Sequence, residues 1–387
     1  MRFIIVFLKT CRELTRDWLT TSLTLVFAPF FVFAYWLWTS GGSTSYNVLV
    51  LNEDRGAVLA DGSSLFAGEE AIRAIQTVQY ADGKPLLKVI RVTDRQEVEK
   101  TLRNRGAAAF IQFDQDFSRT LLALQSGDAS VSARITFGGD LTNPYYTIGS
   151  VLSLGAVESY IQQFTGMKPV LQYVEQPLGA SAARTEFENY TPGVIIFSVI
   201  MLIFPAAMIV AREVEAGTLR RLQITRMRAL DLLGGTTAAL VLVGIISVLI
   251  TFATAVALGF HSQGPIWVAM LIGAVTSLSV VGLGMITACF SKTVSQAFVI
   301  ANFPLGVLMF FSGVIFPFPL PTLFTMAGHS IGLDDFLPPT HAVVALNKIL
   351  TLGAGFQDVI FELAALLTLS LFYLGVGVWL FQRMHMK

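Results

Sequence analysis

Apolar residues in this chain occur in long runs, and most charged residues lie in the segments between those runs. A helix needs about 20 residues to cross the roughly 30 Å hydrocarbon core of a bilayer, and several runs approach or exceed that length. They predict transmembrane helices over residues 19–39, 191–210, 232–260, 267–290, 294–316 and 359–380. The pattern therefore predicts an α-helical polytopic membrane protein with six transmembrane helices.

One long segment, residues 40–190, has instead the mixed composition of a water-soluble domain. Short runs rich in β-branched and aromatic residues predict strands over 46–52, 86–92, 107–113 and 131–137. Helical spacings lie between them: Asp94 with Glu97 resembles a capping box, and Pro144 suits the first turn of a long helix. The alternation of strands and helices predicts an α/β domain inserted between transmembrane helices 1 and 2.

Residues 1–18 precede the first apolar run and carry basic side chains at helical spacings, which predicts a helix lying along the membrane interface. These side chains are Arg2, Lys9, Arg12 and Arg16. The alternative is a cleaved signal peptide, whose apolar core would be shorter and followed by small residues. The first run ends instead in bulky residues such as Trp38, which favours an uncleaved anchor.

The distribution of charge predicts the orientation of the chain, because Lys and Arg concentrate in cytoplasmic loops. The segments 1–18, 211–231, 291–293 and 381–387 together hold 12 Lys and Arg against 5 Asp and Glu, whereas 40–190 holds 13 against 17. We therefore expect both termini in the cytoplasm, including the tail 381–387, and the α/β domain outside. The expected location is the cell (inner) membrane, as a multi-pass protein.

The segment 211–231 is the most strongly charged loop between two spans, with five Arg. As a surface helix it would place Val214, Thr218 and Leu222 on one face. A solvated connecting loop that merely obeys the positive-inside rule is the alternative. Composition alone leaves both interpretations open.

The string REVEAGTLRRLQIT, which begins at Arg212, resembles the loop between the second and third spans of type 2 ATP-binding-cassette (ABC) export permeases. In that family the loop is a coupling helix that contacts the partner ATPase. The resemblance implies that the residues in contact with the ATPase are Arg212, Glu213, Glu215, Gly217, Thr218, Leu219, Leu222 and Thr225. The sequence departs from the family pattern at Arg226, where Pro is common, and that leaves the end of the coupling helix open.

A second resemblance to the same permeases lies near the end of the fifth span, in FFSGVIFP and LPPTHA. It implies an outer re-entrant helical segment over 317–358, with a gate formed by Ser312, Gly313, Phe316, Pro317, Pro338, Thr340 and His341. The composition of this segment agrees with a re-entrant structure, because a semi-apolar stretch broken by Pro and Gly suits neither a regular span nor a solvated loop. For His341 we favour a turn-stabilising hydrogen bond over proton handling.

No Walker A pattern occurs in the chain, so this chain is not expected to be the ATPase or to act as an enzyme. The resemblance implies a separate ABC ATPase (nucleotide-binding) subunit that carries ATP and Mg, while this chain binds no cofactor. It also implies a second permease copy or paralogue, as a homodimer or heterodimer within the lipid bilayer. The charge balance gives no sign of nucleic-acid binding, and the two cysteines form neither a disulfide framework nor a metal motif.

The expected function is therefore export of a hydrophobic or amphipathic substrate, lipid or drug-like, from the cytoplasm or inner leaflet. A receptor-like or signalling protein with an extracytoplasmic ligand or partner domain is the alternative, and it would not need the loop that begins at Arg212. A proton-driven pump is disfavoured, because the midsections of the six runs hold no acidic residue.

Three further residues carry structural expectations. Pro192 is expected at the start of the second span, where its missing N–H costs nothing. Pro205 is expected to kink that span. Glu362 is expected to be an interfacial side chain near the outer end of the sixth span.

Overall fold

The computed structural model describes residues 2–40, 45–59, 62–80, 83–104, 106–128, 130–141, 143, 145–166, 185–218, 228–315, 321–326 and 329–385. The chain is divided into two compact units. One comprises Met1–Trp38 and Pro177–Lys387, and the other is Thr39–Gln176. We call them the membrane unit and the α/β unit.

The chain begins with helix α1 (Arg2–Arg16) and helix α2 (Trp18–Ser40). Val6, Thr10 and Leu14 of α1 are buried, and their spacing of four residues places them on one face. Helix α2 is the first candidate membrane span and is mostly exposed within the chain, as expected of a helix surrounded by lipid.

The α/β unit contains a four-stranded sheet in the order β4-β1-β5-β6. Strands β1, β4 and β5 are parallel, and β6 is antiparallel to β5. Two short strands form a separate antiparallel pair. The strands are β1 (Tyr46–Asn52), β2 (Ala57–Val58), β3 (Ser64–Leu65), β4 (Leu87–Val92), β5 (Ala109–Phe113) and β6 (Ile135–Gly138). A strand therefore overlaps each of the four predicted runs, and β6 extends one residue beyond its run.

Helices cover both faces of this sheet. They are α3 (Ala67–Gln76), α4 (Arg95–Arg103), α5 (Phe117–Gln125) and α6 (Tyr146–Thr165). Val48 and Val50 of β1 belong to a core with α3, α5 and α6, whereas Leu49 and Leu51 pack with Val98 of α4. Side chains alternate between the two faces of a strand, so a strand that is apolar at successive positions is buried on both. Asp94 caps α4 by accepting the Gln96 N–H, without the capping box expected with Glu97, and Pro144 lies outside the described residues.

The membrane unit continues with α7 (Glu186–Ile200), α8 (Ile203–Glu215), α9 (Ala229–Ala257), α10 (Ile266–Cys289) and α11 (Val294–Phe311). With α2 and the last helix included, and with α7 and α8 counted as one span, the described residues contain six helices long and apolar enough to cross a membrane. The predicted class, an α-helical polytopic membrane protein, is therefore confirmed.

The second span, formed by α7 and α8, differs from expectation at its start. Helix α7 begins at Glu186 and not at Pro192, because Thr185 and Glu188 form a capping box nearly two turns earlier. The interruption expected from Pro205 is present. Helix α7 ends at Ile200 and α8 begins at Ile203, since Pro205 has no N–H to donate to the carbonyl four residues earlier.

Small residues of α10 allow neighbouring helices to approach closely. A Cβ on Gly282 would lie 2.6 Å from the Leu374 nitrogen, and one on Gly284 would lie 2.5 Å from the Ala206 side chain. Any larger residue would therefore separate α10 from α8 and the last helix.

The segment after α11 is only partly helical, so the expectation of helices throughout 317–358 is wrong. It contains β7 (Thr322–Met326) and β8 (His329–Gly332), which form an antiparallel hairpin, and then a 3₁₀ turn (Asp334–Phe336). Helix α12 (Pro338–Leu346), a π-helical turn (Asn347–Thr351), a 3₁₀ turn (Phe356–Val359) and helix α13 (Ile360–His385) follow. Helix α11 ends at Phe311 rather than at 316.

Candidate functional site

The residues of the proposed coupling motif begin in the last turn of α8. Helix α8 carries Arg212, Glu213 and Glu215 and is followed by Gly217 at a φ of 64°. A left-handed residue ends an α-helix, so one continuous surface helix from residue 211 onward is ruled out. Glycine is favoured at position 217 because it adopts the left-handed conformation without steric cost.

Glu213 connects the second span to the N-terminal helix. Its carboxylate accepts a hydrogen bond from the Lys9 ammonium of α1 at 2.5 Å and another from the Thr218 hydroxyl. Partial burial lowers the pKa of Lys9, but the hydrogen bond and charge of Glu213, with help from Glu13, outweigh burial and raise it above its usual value. Lys9 therefore keeps its proton at neutral pH.

Arg212 contacts the junction between α1 and α2. Its guanidinium lies 3.1 Å from the Asp17 carboxylate, which also accepts a hydrogen bond from the Thr20 hydroxyl at 2.9 Å. The hydrogen bond from Thr20, and then that from Arg212, lower the pKa of Asp17 below its usual range. The junction is thus tied to the end of α8 by a charged pair.

Glu215 reaches a third element, the start of α11. Its carboxylate accepts the backbone N–H of Val294 at 2.7 Å, beside the helix cap formed by Thr293. A negative charge at a helix N-terminus satisfies a free N–H and is favoured by the helix dipole. Arg212, Glu213 and Glu215 therefore join α8 to α1, to the start of α2 and to α11.

Helix α1 also packs directly against the beginning of α9. A Cβ on Gly235 would lie 2.8 Å from the Val6 Cβ and 2.9 Å from the Phe3 carbonyl oxygen. The N-terminal helix is therefore held by both helices that flank the charged segment. The remaining motif residues, Leu219, Leu222 and Thr225, lie outside the described residues.

At the other end of the second span, three of the predicted gate residues meet. Ser312, Gly313 and Thr340 line one cavity of about 470 Å³ between α7, the end of α11 and α12. Helix α7 approaches this region closely, since a Cβ on Gly193 would lie 2.2 Å from the Val314 carbonyl oxygen. Phe316 and Pro317 lie outside the described residues, and Pro338 is the first residue of α12.

His341 and Thr340 fix the turn that precedes α12. The buried His341 ring donates from Nε2 to the Asp335 carbonyl oxygen at 2.9 Å, and the Thr340 hydroxyl donates to the Asp334 carbonyl oxygen at 2.7 Å. A carbonyl can only accept, so this contact assigns the Nε2 proton. The favoured turn-stabilising hydrogen bond of His341 is therefore present.

Glu362 differs from expectation, because it is buried rather than interfacial. It is 4% exposed, and one carboxylate oxygen accepts a hydrogen bond from the Lys348 ammonium at 2.6 Å. The other oxygen, Oε2, is buried and has no hydrogen-bond partner among the described residues. Lys348 lies 14 residues away in the π-helical turn, and no helical spacing in the sequence signals this pair.

The contact partners of Glu213 and Glu215 were not predicted from the sequence either, because they are distant along the chain. Lys9 and Glu213 are 204 residues apart, and Val294 lies 79 residues beyond Glu215. Within the described residues, no group of three or more His, Cys, Asp or Glu is placed to hold a metal ion.

Six candidate spans and a charged contact region at the end of one of them define a multi-pass membrane protein. Comparison with known protein families matches residues 17–379 to the ABC-2 family transporter protein family. The match covers most of the chain, which therefore belongs to the ABC-2 type transporter permease family. This chain is a membrane permease component of an ABC transporter, and the family implies an ATPase partner. Comparison with curated proteins finds no match.

Proposed function

We propose that this chain is the membrane subunit of an ABC exporter, driven by a separate ATPase subunit that binds ATP and Mg. The observation that carries this proposal is the set of contacts made by Arg212, Glu213 and Glu215. Their side chains contact α1, the junction between α1 and α2, and the start of α11. These contacts lie at the point where the charged segment 211–231 begins. A simple connecting loop would need no such contacts.

The proposed orientation places both termini and residues 211–231 in the cytoplasm and the α/β unit outside. The excess of Lys and Arg in 1–18, 211–231, 291–293 and 381–387 supports it. The contacts between α1, the end of α8 and the start of α11 support it further, because they bring three of those segments together on one side. We place the protein in the cell (inner) membrane.

The mechanism follows from the charged contacts. ATP-driven closure of the ATPase pair displaces residues 211–231, and the left-handed Gly217 connects that segment to α8. Glu213 then carries the displacement to α1, and Glu215 carries it to α11. Transport results if the two conformations of the membrane helices bind the ATP-bound ATPase with different affinity. A second permease, identical or related, completes the pathway.

The substrate of this exporter is a hydrophobic or amphipathic molecule, lipid or drug-like, taken from the cytoplasm or the inner leaflet. The apolar surfaces of α2 and α11 are compatible with such a molecule, since Phe30, Phe31, Phe303, Phe310 and Phe311 are exposed. Assays that found export of hydrophilic sugars or ions alone would contradict this substrate class.

The test is affinity purification of the tagged chain from its native membrane, with identification of co-eluting chains and measurement of ATP hydrolysis. We expect a stoichiometric ABC ATPase with the wild type and its loss with Gly217→Pro, because proline fixes φ near −65° and removes an N–H that donates to the Val214 carbonyl oxygen at 3.1 Å. Gly217→Asn is the matched control, since Asn tolerates the left-handed conformation.

The two variants separate coupling from folding. Retention of the ATPase by Gly217→Asn and its loss from a folded, membrane-inserted Gly217→Pro protein support the proposal. Absence of any ATPase from the wild type, repeated after cross-linking in intact membranes, would favour the receptor-like alternative.

A further inference from the structure

The segment between β8 and α12 descends along the last span. The His329 ring stacks on Phe361, the second residue of α13, with ring centroids 3.9 Å apart. Farther along, the Phe336 carbonyl oxygen accepts a hydrogen bond from the Tyr373 hydroxyl at 3.2 Å. Phe361 and Tyr373 are twelve residues apart in one α-helix, a rise of about 18 Å. Residues 329 and 336 therefore contact two residues of the last span whose positions are separated by about 18 Å along its axis.

Helix α12 then returns the chain toward the end at which it started. All but one of its nine residues are buried. Beyond it, the Leu350 carbonyl oxygen accepts the N–H of Gln263, in the loop that joins α9 to α10. Asp334 and Asp335 thus lie in the turn that precedes α12, where Asp335 contacts His341 and the His341 ring is 6.3 Å from the Phe361 ring near the start of α13.

The two carboxylates in this turn have different surroundings. Asp335 accepts the Gly332 N–H at 2.7 Å and lies 3.9 Å from the His341 ring. Asp334 lines the cavity of about 470 Å³, and no described residue donates a hydrogen bond to its carboxylate or forms an ion pair with it. Its backbone carbonyl, by contrast, accepts from Thr340 and Leu337.

The cavity gives Asp334 access to water and has the size of a small-molecule pocket, which is typically 300–1,000 Å³. None of the described lining residues is basic. The lining combines apolar side chains, Val314, Ile315, Val343 and Val344, with polar ones that include Asn189 and Asn347.

We propose that this cavity binds an amphipathic organic cation, with its positive charge at the Asp334 carboxylate. The apolar body of the ligand packs against Val314, Val343 and Val344, and Asn189 and Asn347 are available as polar partners. The assignment rests on the proposed export function and narrows its substrate class. Charge complementarity is the reason, because a carboxylate in a partly apolar cavity attracts a cation and rejects an anion of the same shape.

The test uses two probes of nearly equal shape and opposite charge, tetraphenylphosphonium and tetraphenylborate. Equilibrium dialysis measures the binding of each probe separately to the purified full chain in detergent, with protein-free micelles as the blank. We expect saturable binding of tetraphenylphosphonium at one site per chain and only micelle-level uptake of tetraphenylborate. Asp334→Asn should weaken phosphonium binding by about tenfold or more, since Asp334 is the only charged side chain among the described lining residues.

Asp358→Asn is the matched control, because Asp358 lies in the 3₁₀ turn before α13 and does not line the cavity. It should bind the phosphonium as the wild type does. Val344→Trp, which fills the cavity from α12, should also weaken binding, and the unfolding midpoint of each variant shows whether it folds. Equal affinity of Asp334→Asn and wild type, or saturable binding of both probes, would overturn the proposal.

The assay needs no ATPase, so the two proposals fail separately. Phosphonium binding that is absent while an ATPase co-purifies would contradict only the cation site. Binding that depends on Asp334 in a chain that never associates with an ATPase would contradict the export function and leave the site intact.

Discussion

Each of three charged residues at the end of α8 contacts a different element. Glu213 binds Lys9, Arg212 binds Asp17, and Glu215 accepts the first N–H of α11. Ion pairs between exposed side chains contribute little to stability. These contacts matter because of their positions. Each one joins the end of α8, beside the segment 211–231 that is proposed to move, to another element that is proposed to move with it.

Charge reversal at this cluster tests that role. Glu213→Lys places two ammonium groups together and removes the acceptor of the Thr218 hydroxyl. We expect the ATP turnover of the purified complex to fall severalfold, with a loss of roughly 1–3 kcal/mol in stability because the Glu213 side chain is only 12% exposed. Lys9→Glu combined with Glu213→Lys restores opposite charges and should recover much of the turnover. A double variant as inactive as Glu213→Lys alone would contradict the role of the pair.

At the scale of elements, the strands of the α/β unit could be predicted because each has a local signature. Tyr46–Asn52 is apolar at successive positions, and both of its faces are buried in the sheet. The hairpin β7–β8 could not be predicted in the same way. Its apolar residues continue an uncharged run that begins with the fifth span, so their pattern does not separate a strand from a buried helix.

The same limit applies to contacts between elements. The motif residues were found from the sequence, but Lys9, Asp17 and Val294 were not, because their proximity depends on how α1 and α11 pack. The burial of Glu362 was missed because Lys348 reaches it from a π-helical turn. Such turns arise from tertiary context and are frequent at functional sites.

The pair formed by Lys348 and Glu362 holds the segment after α12 to the last span. Lys348→Met leaves a buried carboxylate without the ammonium group that binds it, a loss of about 2–3 kcal/mol after allowing for the partial exposure of Lys348. Lys348→Met combined with Glu362→Gln removes both charges and should recover most of that loss. The midpoint of thermal unfolding in detergent measures the difference. A double variant less stable than Lys348→Met would show that Glu362 has another partner.

For the whole molecule, the proposed orientation divides the chain between two compartments. Single cysteines at Ser126 and at Gln357, in a chain with Cys11 and Cys289 replaced by serine, should react with an impermeant maleimide added outside intact cells. A single cysteine at Lys292 should react only after the membrane is opened. Labelling of Lys292→Cys from outside would reverse the orientation and, with it, the assignment of residues 211–231 to the cytoplasm.

The most direct test of the account asks whether residues 211–231 contact an ABC ATPase in the native membrane. A photoreactive benzoyl-phenylalanine replaces Leu222 in the tagged chain, and irradiated membranes are analysed by mass spectrometry; the same substitution at Ser330 is the control. We predict a covalent adduct from position 222 to a protein that contains a Walker A motif, and none from position 330. An inserted, full-length chain that gives no ATPase adduct from position 222 would contradict coupling through this segment.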